Sequence, residues 1–326
     1  MSWLSRFRSG MCLGASALVL VACGRKADKA PPAGAASGAP SVFKPAGPVA
    51  SGLPGAAERV SKAVNPENRP PYSGPTGGVR GVVTATGEQA PVATAHLEEI
   101  KGPCPEGREM YGRLFREGMM RSLADVLVAV TGYDVYLPEK EPKQVVSARG
   151  CAFSTRTVAL TFGQTLDVVS KDGDAYVPNL LGSNQKVQLL ALPRGAGSTL
   201  YPTDIGHYLL TDDIKVFMLA DVYVLKYSTH DVTSLDGRYE ITGIPPGRVR
   251  LNALLPSTGV VVDRIIDIKA GEVLEIPIEM AFSKEAYEHQ KHEAAAMASA
   301  VAAAKAAAAS GSAAPPPSAS ASSKGP

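Results

Sequence analysis

The chain has 326 residues, of which 45% are hydrophobic, and its 33 basic side chains nearly balance its 31 acidic ones. A formal charge of +2, with basic residues scattered along the chain, argues against a nucleic-acid surface. The sequence also contains no phosphate-binding loop, dinucleotide fingerprint, Gly-x-Ser-x-Gly elbow or His-Glu-x-x-His motif. We therefore expect a protein that is not an enzyme, carries no cofactor and binds no nucleic acid.

Residues 1–22 have the pattern of an export signal. Arg6 and Arg8 precede an apolar run that is too short to span a bilayer. The run ends in Leu-Val-Ala-Cys, which resembles a bacterial lipobox and implies that Cys23 is lipidated and forms the mature N-terminus. An ordinary secretory signal followed by a chance cysteine is the alternative. Because Gly24 follows the cysteine, we expect a lipid-anchored protein of the cell envelope, at the outer membrane.

Residues 23–76 are rich in alanine, proline, glycine and serine. Such a composition buries too little apolar surface to offset the entropy of ordering the chain. Its prolines favour extended conformations. This segment is therefore predicted to be a disordered tether that holds the folded part away from the membrane.

Residues 77–100 alternate between apolar and polar side chains on both sides of a Thr86-Gly87 turn, which is typical of a half-buried hairpin. The hairpin fits the start of either of two β-domains, and the pattern does not separate them. Apolar runs at residues 123–130 and 216–227 predict buried strands.

Four arginines lie between residues 101 and 122, where they could form an anion-binding face. Gly112 and Gly118 interrupt any continuous basic helix, so we favour solvated loop charge instead. The four are Arg108, Arg113, Arg116 and Arg121.

The cysteines divide into two pairs with different expected roles. Cys12 lies in the signal and Cys23 is the predicted anchor, which leaves Cys104 and Cys151. In an oxidising envelope compartment an isolated pair predicts a disulfide. If these two pair, no thiolate remains to bind a soft metal ion.

Residues 163–179 and 211–218 carry the most specific pattern in the chain. The first follows Cys151 and an apolar strand, and it contains a Gly-Gln turn, a second strand and a polar turn. The second, TDDIKVFM, ends in Phe217 and Met218. In order and spacing, the two resemble the ligand-bearing segments of bacterial cupredoxins, the plastocyanin-like blue-copper proteins. The resemblance implies a Greek-key β-sandwich, assigned here to residues 77–228.

The resemblance also implies four copper-ligand positions, of which the chain keeps only the weak axial methionine, Met218. Pro178 occupies the position of one histidine, Asp212 that of the cysteine and Lys215 that of the second histidine. A lysine ammonium does not ligate at neutral pH, and a carboxylate is a hard ligand where copper(I) prefers sulfur. We therefore expect these positions to be vacated and the protein to hold no metal.

Residues 229–282 carry a second resemblance. The run TSLDGRYEITGIPPGRVRL is similar to the signature of carboxypeptidase-regulatory-like, or prealbumin-type, β-sandwiches. In it, Asp236-Gly237 is predicted to turn a hairpin, and the Pro-Pro-Gly ending at Gly247 to make a second turn. Residues 283–326 are alanine-rich at first and predict a helix followed by a disordered tail.

Together these patterns predict an all-β protein: a cupredoxin-like sandwich, a small prealbumin-like sandwich, a disordered tether and an alanine-rich helix. The favoured function is a non-catalytic binding or structural module that meets a protein partner in the envelope. The alternative is a periplasmic copper-binding or electron-transfer protein whose unusual ligands come from His207, Asp212, Asp213 and Met218.

Overall fold

The computed structural model describes residues 56–183 and 190–310. Within them the helices are α1 Ala56–Val64, α2 Thr94–Glu99, α3 Pro105–Tyr111 and α4 Lys284–Ser310. The first eight strands are β1 Gly77–Gly87, β2 Leu127–Thr131, β3 Lys143–Arg149, β4 Ala152–Phe153, β5 Thr157–Thr161, β6 Thr165–Ser170, β7 Pro178–Leu181 and β8 Ser198–Leu200. The others are β9 Gly206–Asp212, β10 Leu219–Leu225, β11 His230–Val232, β12 Arg238–Ile244, β13 Gly247–Leu255, β14 Val260–Ile268, β15 Val273–Glu275 and β16 Ile278–Phe282. These elements confirm the all-β class and the C-terminal helix.

The first sandwich is built from β3 to β10. One sheet has the order β5-β10-β9-β7, and the other has the order β4-β3-β6-β8. Buried side chains alternate along β6 and β10, as they must where one face of a strand packs on a core. The two sheets enclose one apolar cluster that includes Val146, Leu160, Leu166, Leu210 and Val222. The strand predicted at residues 216–227 is confirmed as β10.

The second sandwich contains the strands that come before and after the first one in the chain. β1 pairs with β12, β15 and β16, while β2 lies between β11 and β13, with β14 outside β13. Their facing side chains form a separate core cluster, which includes Val79, Val128, Ile241 and Leu251. The first sandwich is therefore an insertion between β2 and β11.

The predicted domain boundaries are wrong in this respect. A continuous domain over residues 77–228 would place β1 and β2 in the first sandwich, but both pair with strands of the 229–282 segment. The predicted hairpin at residues 77–100 is also wrong. Residues 77–87 form one long strand, and α2 occupies the region expected to hold the second. The alternating pattern of this segment did not identify the distant strands with which β1 pairs.

The turn at Gly237 connects the two sheets of the second sandwich rather than closing a hairpin, because β11 pairs with β2 and β12 pairs with β1. Gly237 has a φ of 69°, and a Cβ there would lie 2.5 Å from the carbonyl oxygen of Val83. Only glycine fits this approach without displacing the backbone. The Asp-Gly pair thus marks a turn, as predicted, but one between sheets.

The segment just before β1 is ordered. Val60 on α1 is 3% exposed and packs into the core of the first sandwich. The side chain of Asn65 hydrogen-bonds to the backbone N–H and carbonyl of Arg69, which fixes the turn after α1. The guanidinium of Arg69 forms an ion pair with Asp134. The predicted disordered tether is therefore wrong for residues 56–76. The signal, Cys23, the rest of the tether and the tail after residue 310 lie outside the described residues.

The predicted disulfide is confirmed. Cys104 and Cys151 are bonded, with an S–S distance of 2.04 Å and a Cα–Cα distance of 5.4 Å. The bond ties the start of α3 to the loop between β3 and β4, so it links an outlying helix to the first sandwich. Among the described helices, none is long and apolar enough to cross a membrane.

Candidate functional site

The four predicted former-ligand positions lie at one end of the first sandwich. Pro178 and Asp212 are directly paired across β7 and β9. Lys215 and Met218 follow in the loop between β9 and β10, where Met218 donates its N–H to the carbonyl of Lys215 at 2.8 Å. We call this group, Pro178, Asp212, Lys215 and Met218, the former-ligand end.

Asp212 is 1% exposed, and its carboxylate is occupied by backbone donors. It accepts N–H groups from Val177 at 2.6 Å, from Ile214 at 3.0 Å and from Lys215 at 2.7 Å. Charge-assisted bonds of this kind fix a loop because each donor would otherwise lose its partner on burial. Asp212 therefore holds the β9–β10 loop in its conformation.

Lys215 turns its ammonium group towards the protein. Its Nζ lies 4.3 Å from the centre of the Tyr176 ring and 3.3 Å from a carboxylate oxygen of Asp174. Its side chain is only 18% exposed. A cation over an aromatic face and beside a carboxylate is doubly stabilised. Met218 is fully buried in the core of the first sandwich, which is an ordinary place for a methionine.

Asp172 completes this network. Its carboxylate accepts the Tyr176 hydroxyl at 2.8 Å and the N–H groups of Gly150 at 2.7 Å and Asp174 at 3.0 Å. Burial alone would raise the pKa of Asp172, but these hydrogen bonds outweigh it and the pKa is lowered. Burial, followed by the nearby Asp172, raises the pKa of Tyr176. The turn around Asp172 is thus stabilised internally.

The alternative set of metal ligands does not converge. His207 lies five residues before Asp212 on β9, which at about 3.4 Å per residue separates them by roughly 17 Å. His207 instead contacts Asp221 at 2.7 Å and stacks on Tyr223. Within residues 56–183 and 190–310, no three His, Cys, Asp or Glu side chains are grouped so that they could hold a metal ion.

Arg108 and Arg113 each donate to one backbone carbonyl, that of Ile100 and that of Ala90. The less exposed Arg116 and Arg121 have larger structural roles that the sequence analysis missed. Arg116 forms a two-point ion pair with Asp125, with both N–O distances 2.7 Å and the side chains 15% and 6% exposed. Arg121 donates to the carbonyls of Gly87 and Glu88 and pairs with Glu117. Solvated loop charge was therefore the wrong interpretation for these two.

Asp125 also joins the two sandwiches. Besides binding Arg116, its carboxylate accepts the N–H of Arg156 at 2.9 Å and lies 3.0 Å from the Thr155 hydroxyl. Its carbonyl accepts the hydroxyl of Thr157 at 2.8 Å. Its φ of 64° is in the left-handed region, where aspartate is better tolerated than most residues. The sequence signal was a lone charge inside the apolar run at residues 123–130.

A groove of about 590 Å³ lies at the same seam. It is bordered by β3, β5 and β11, so both sandwiches contribute to it. We call it the seam groove. Its lining includes Glu139, Val145, Ala159, His230, Asp231 and Leu235. Grooves of this size where two domains meet are common places for ligands to bind.

His230 is a half-buried titratable group of the seam groove. Its Nε2 lies 3.1 Å from the Thr161 hydroxyl, which in turn lies 2.5 Å from Glu139. Burial lowers the pKa of His230, against the opposing pull of Glu139 and Asp231. Burial raises the pKa of Asp231, whose carboxylate accepts the N–H groups of Val232 and Glu240. No motif in the sequence pointed to this cluster, because its members come from distant segments.

No family model and no curated protein matches the chain. Among solved structures, it is similar to a reduced amicyanin mutant, at 18% identity and a TM-score of 0.23, over 25% of this chain and 80% of that one. A second reduced amicyanin mutant gives 17% identity and a TM-score of 0.24, over 26% and 84%. The all-β assignment of this chain rests on its own strands and sheets.

Proposed function

We propose that the protein is a lipid-anchored, non-catalytic binding module of the cell envelope, whose cupredoxin-like sandwich holds no copper. The observation that carries this proposal is the engagement of Asp212. Its oxygens accept three backbone N–H groups in a buried setting, which leaves the carboxylate committed to the loop. A metal at this position would have to break those bonds, and the neighbouring Lys215 ammonium would repel it.

The confirmed disulfide supports the same proposal. Cys104 and Cys151 are joined, so no thiolate is available in the described part of the chain to hold a soft metal ion. A disulfide of this kind also fits an oxidising compartment outside the cytoplasm. The envelope address itself comes from the lipobox-like run that ends at Cys23.

Metal content tests the copper-free part of the proposal. The full chain, purified in detergent, is loaded with copper under reducing and under oxidising conditions, passed over a desalting column and analysed for bound metal. We expect far less than one copper per chain. One retained copper per chain would contradict the proposal and favour the electron-transfer alternative.

Cell fractionation tests the anchor. Replacing Cys23 with serine removes the lipid-accepting thiol, so the Cys23→Ser variant should move from the membrane fraction to the soluble envelope fraction. The matched Cys12→Ser variant keeps the anchor and should stay with the membrane. Membrane retention of both variants would show that the predicted lipidation does not anchor the protein.

A further inference from the structure

β5 has an unpaired edge that faces the seam groove. It is the outermost strand of its sheet and pairs only with β10. Asp221 donates its N–H to the carbonyl of Arg156 at 2.8 Å. In this register the backbone N–H and C=O groups of the even-numbered residues of β5 point towards β10. The backbone groups of the odd-numbered residues therefore point to the opposite edge. These residues are Thr157, Ala159 and Thr161.

Two of those three residues are capped locally, and the middle one is not. Both backbone groups of Thr157 lie within 3.2 Å of the Thr155 hydroxyl. The N–H of Thr161 donates to the side-chain oxygen of Gln164 at 2.7 Å, and the carbonyl of Thr161 accepts the N–H of Gln164 at 3.0 Å. Ala159 is 7% exposed, and among the described residues its outward N–H and C=O have no partner. Unpaired backbone groups at such burial are rare, so this one calls for an explanation.

A second strand edge borders the groove. Thr165 donates its N–H to the carbonyl of Pro142, and this hydrogen bond fixes the register of β3 on β6. In this register the backbone N–H and C=O of Val145 point away from β6. Ser147, the next residue with that orientation, is bonded to Ser154. Val145 has no such partner in the described part of the chain. The groove is thus bordered by free backbone donors and acceptors on two strands.

The side chains of the groove define what would fit. Val145 and Leu235, 54% and 46% exposed, supply apolar surface together with the half-buried Val232. Glu139 and Asp231 supply carboxylates, while the charge of Arg116 is already matched by Asp125. Burial lowers the pKa of His230, which disfavours a positive charge on its ring. The free charge of the groove is therefore negative, which favours a basic partner.

From these observations we infer that the seam groove binds an extended, basic peptide segment of a partner protein, which adds to the edge of β5 as a further strand. The backbone of the partner segment hydrogen-bonds to the outward N–H and C=O of Ala159. Its lysine or arginine side chains face Glu139 and Asp231. Strand addition of this kind obtains affinity from backbone hydrogen bonds and selectivity from alternate side chains. The inference deepens the proposed binding role and rests on it.

The test uses the full chain in detergent and three fluorescent seven-residue peptides with blocked ends. The first alternates lysine and valine. The second has the same side chains, but its backbone nitrogens are methylated at alternate positions, so it cannot donate to a strand edge. The third replaces lysine with glutamate. By fluorescence anisotropy we expect the first peptide to bind at least roughly tenfold more tightly than either other, the equivalent of about one hydrogen bond.

Matched variants at the rim of the groove sharpen the test. Ser234 is exposed and lines the groove, so Ser234→Arg should weaken binding of the lysine peptide and Ser234→Glu should strengthen it. Val145→Pro removes an N–H that the β3–β6 ladder does not use, which an edge position tolerates. Because the peptide is inferred to add to β5, Val145→Pro should bind the lysine peptide as tightly as Val145→Ala does. A loss of affinity confined to the proline variant would place the added strand on β3 and overturn the inference.

Hydrogen exchange at Ala159 gives a direct readout. We expect the amide of Ala159 to exchange readily in the free protein and to slow at least roughly tenfold when the lysine peptide is bound. Equal binding of the methylated peptide would overturn strand addition. Protection of Ala159 in the free full chain would also overturn the inference, because the edge would then be covered by the protein itself or by a second copy.

Failure of this inference is distinguishable from failure of the proposed function. A chain that binds neither copper nor peptide keeps its copper-free role and loses the groove as its binding site. A chain that retains one copper loses the proposed function whatever the peptides do.

Discussion

The former-ligand end and the seam groove are both polar regions on the first sandwich, but their hydrogen bonding differs. At the former-ligand end the carboxylate of Asp212 accepts three backbone N–H groups. The Lys215 ammonium lies over the Tyr176 ring and beside the carboxylate of Asp174. At the seam groove the backbone of Ala159 has no outward partner in the described structure. The region that most resembles a reactive site is closed, and the region without a motif is open.

Side chains of a chemically suggestive type are therefore not sufficient evidence for a site. Buried polar groups must be paired, and a fully paired cluster stabilises the fold without offering anything to a ligand. A groove with unpaired donors and acceptors has interactions left to make.

The largest effect is expected at Asp125, which joins the sandwiches and pairs with Arg116, a residue that lines the seam groove. Asp125→Ala leaves the poorly exposed Arg116 guanidinium without its partner, so the free energy of unfolding should fall by roughly 3–5 kcal/mol. Urea denaturation measures this. Asp125→Asn keeps an oxygen acceptor and the left-handed backbone, and should cost less. A loss under about 1 kcal/mol for Asp125→Ala would show that the two sandwiches do not depend on this residue.

The next effect concerns the disulfide beside the former-ligand end. Removing both cysteines in a Cys104→Ala/Cys151→Ala variant should lower the free energy of unfolding by about 2–4 kcal/mol, because the unfolded chain regains the freedom of a long loop. Wild-type protein unfolded under reducing conditions is the control and should lose a similar amount. Full stability of the variant would mean that the remaining network holds this end alone.

A smaller effect is expected at Asp212. Asp212→Ala leaves three backbone donors of a buried loop unpaired and should lower the free energy of unfolding by about 1–3 kcal/mol. Asp212→Asn retains one acceptor oxygen and serves as the matched control. If the alanine variant unfolds like the wild type, the former-ligand end is not closed in the way described.

The smallest effect is a pH dependence at the seam groove. Because burial lowers the pKa of His230 below its usual value near 6.5, the unfolded chain takes up a proton that the folded chain resists. The free energy of unfolding should therefore decline as the pH falls below about 6.5. The raised pKa of Asp231 has the opposite effect on stability. Above its usual value near 3.8, the folded chain holds a proton on Asp231 that the unfolded chain has lost, so this group alone would make the protein more stable as the pH falls towards that value.

His230→Gln removes one of these two groups and leaves Asp231 in place. In matched urea titrations between about pH 7 and pH 5, the variant should show a shallower decline in stability than the wild type. An identical decline in both proteins would assign the pH dependence to other groups.

The sequence predicted local chemistry better than the way in which distant segments pair. The all-β class, the disulfide, the strand at β10 and the helix α4 all follow from local composition or from a cysteine count. The pairing of β1 with β16 joins segments almost two hundred residues apart, and alternation along one strand carries no information about its neighbour. The insertion of one sandwich into the other was therefore left open.

The two candidate regions differ in the same way. The former-ligand end could be located from spacing, since its residues lie in two short segments around Pro178 and Asp212. The seam groove could not, since Glu139, Ala159 and His230 come from three separate parts of the chain. Arg116 was misjudged and Asp125 was not singled out, because ion pairing inside a seam depends on tertiary packing.

The most direct test is to install the copper ligands that the cupredoxin resemblance implies and to compare the variant with the native chain. A Pro178→His/Asp212→Cys/Lys215→His variant, with native Met218, provides a thiolate, two imidazoles and a weak axial ligand. We predict that it retains one copper with an intense thiolate-to-copper absorption band, whereas the wild type retains none. Stoichiometric copper in the wild type would contradict the claim that the former-ligand end serves only the fold.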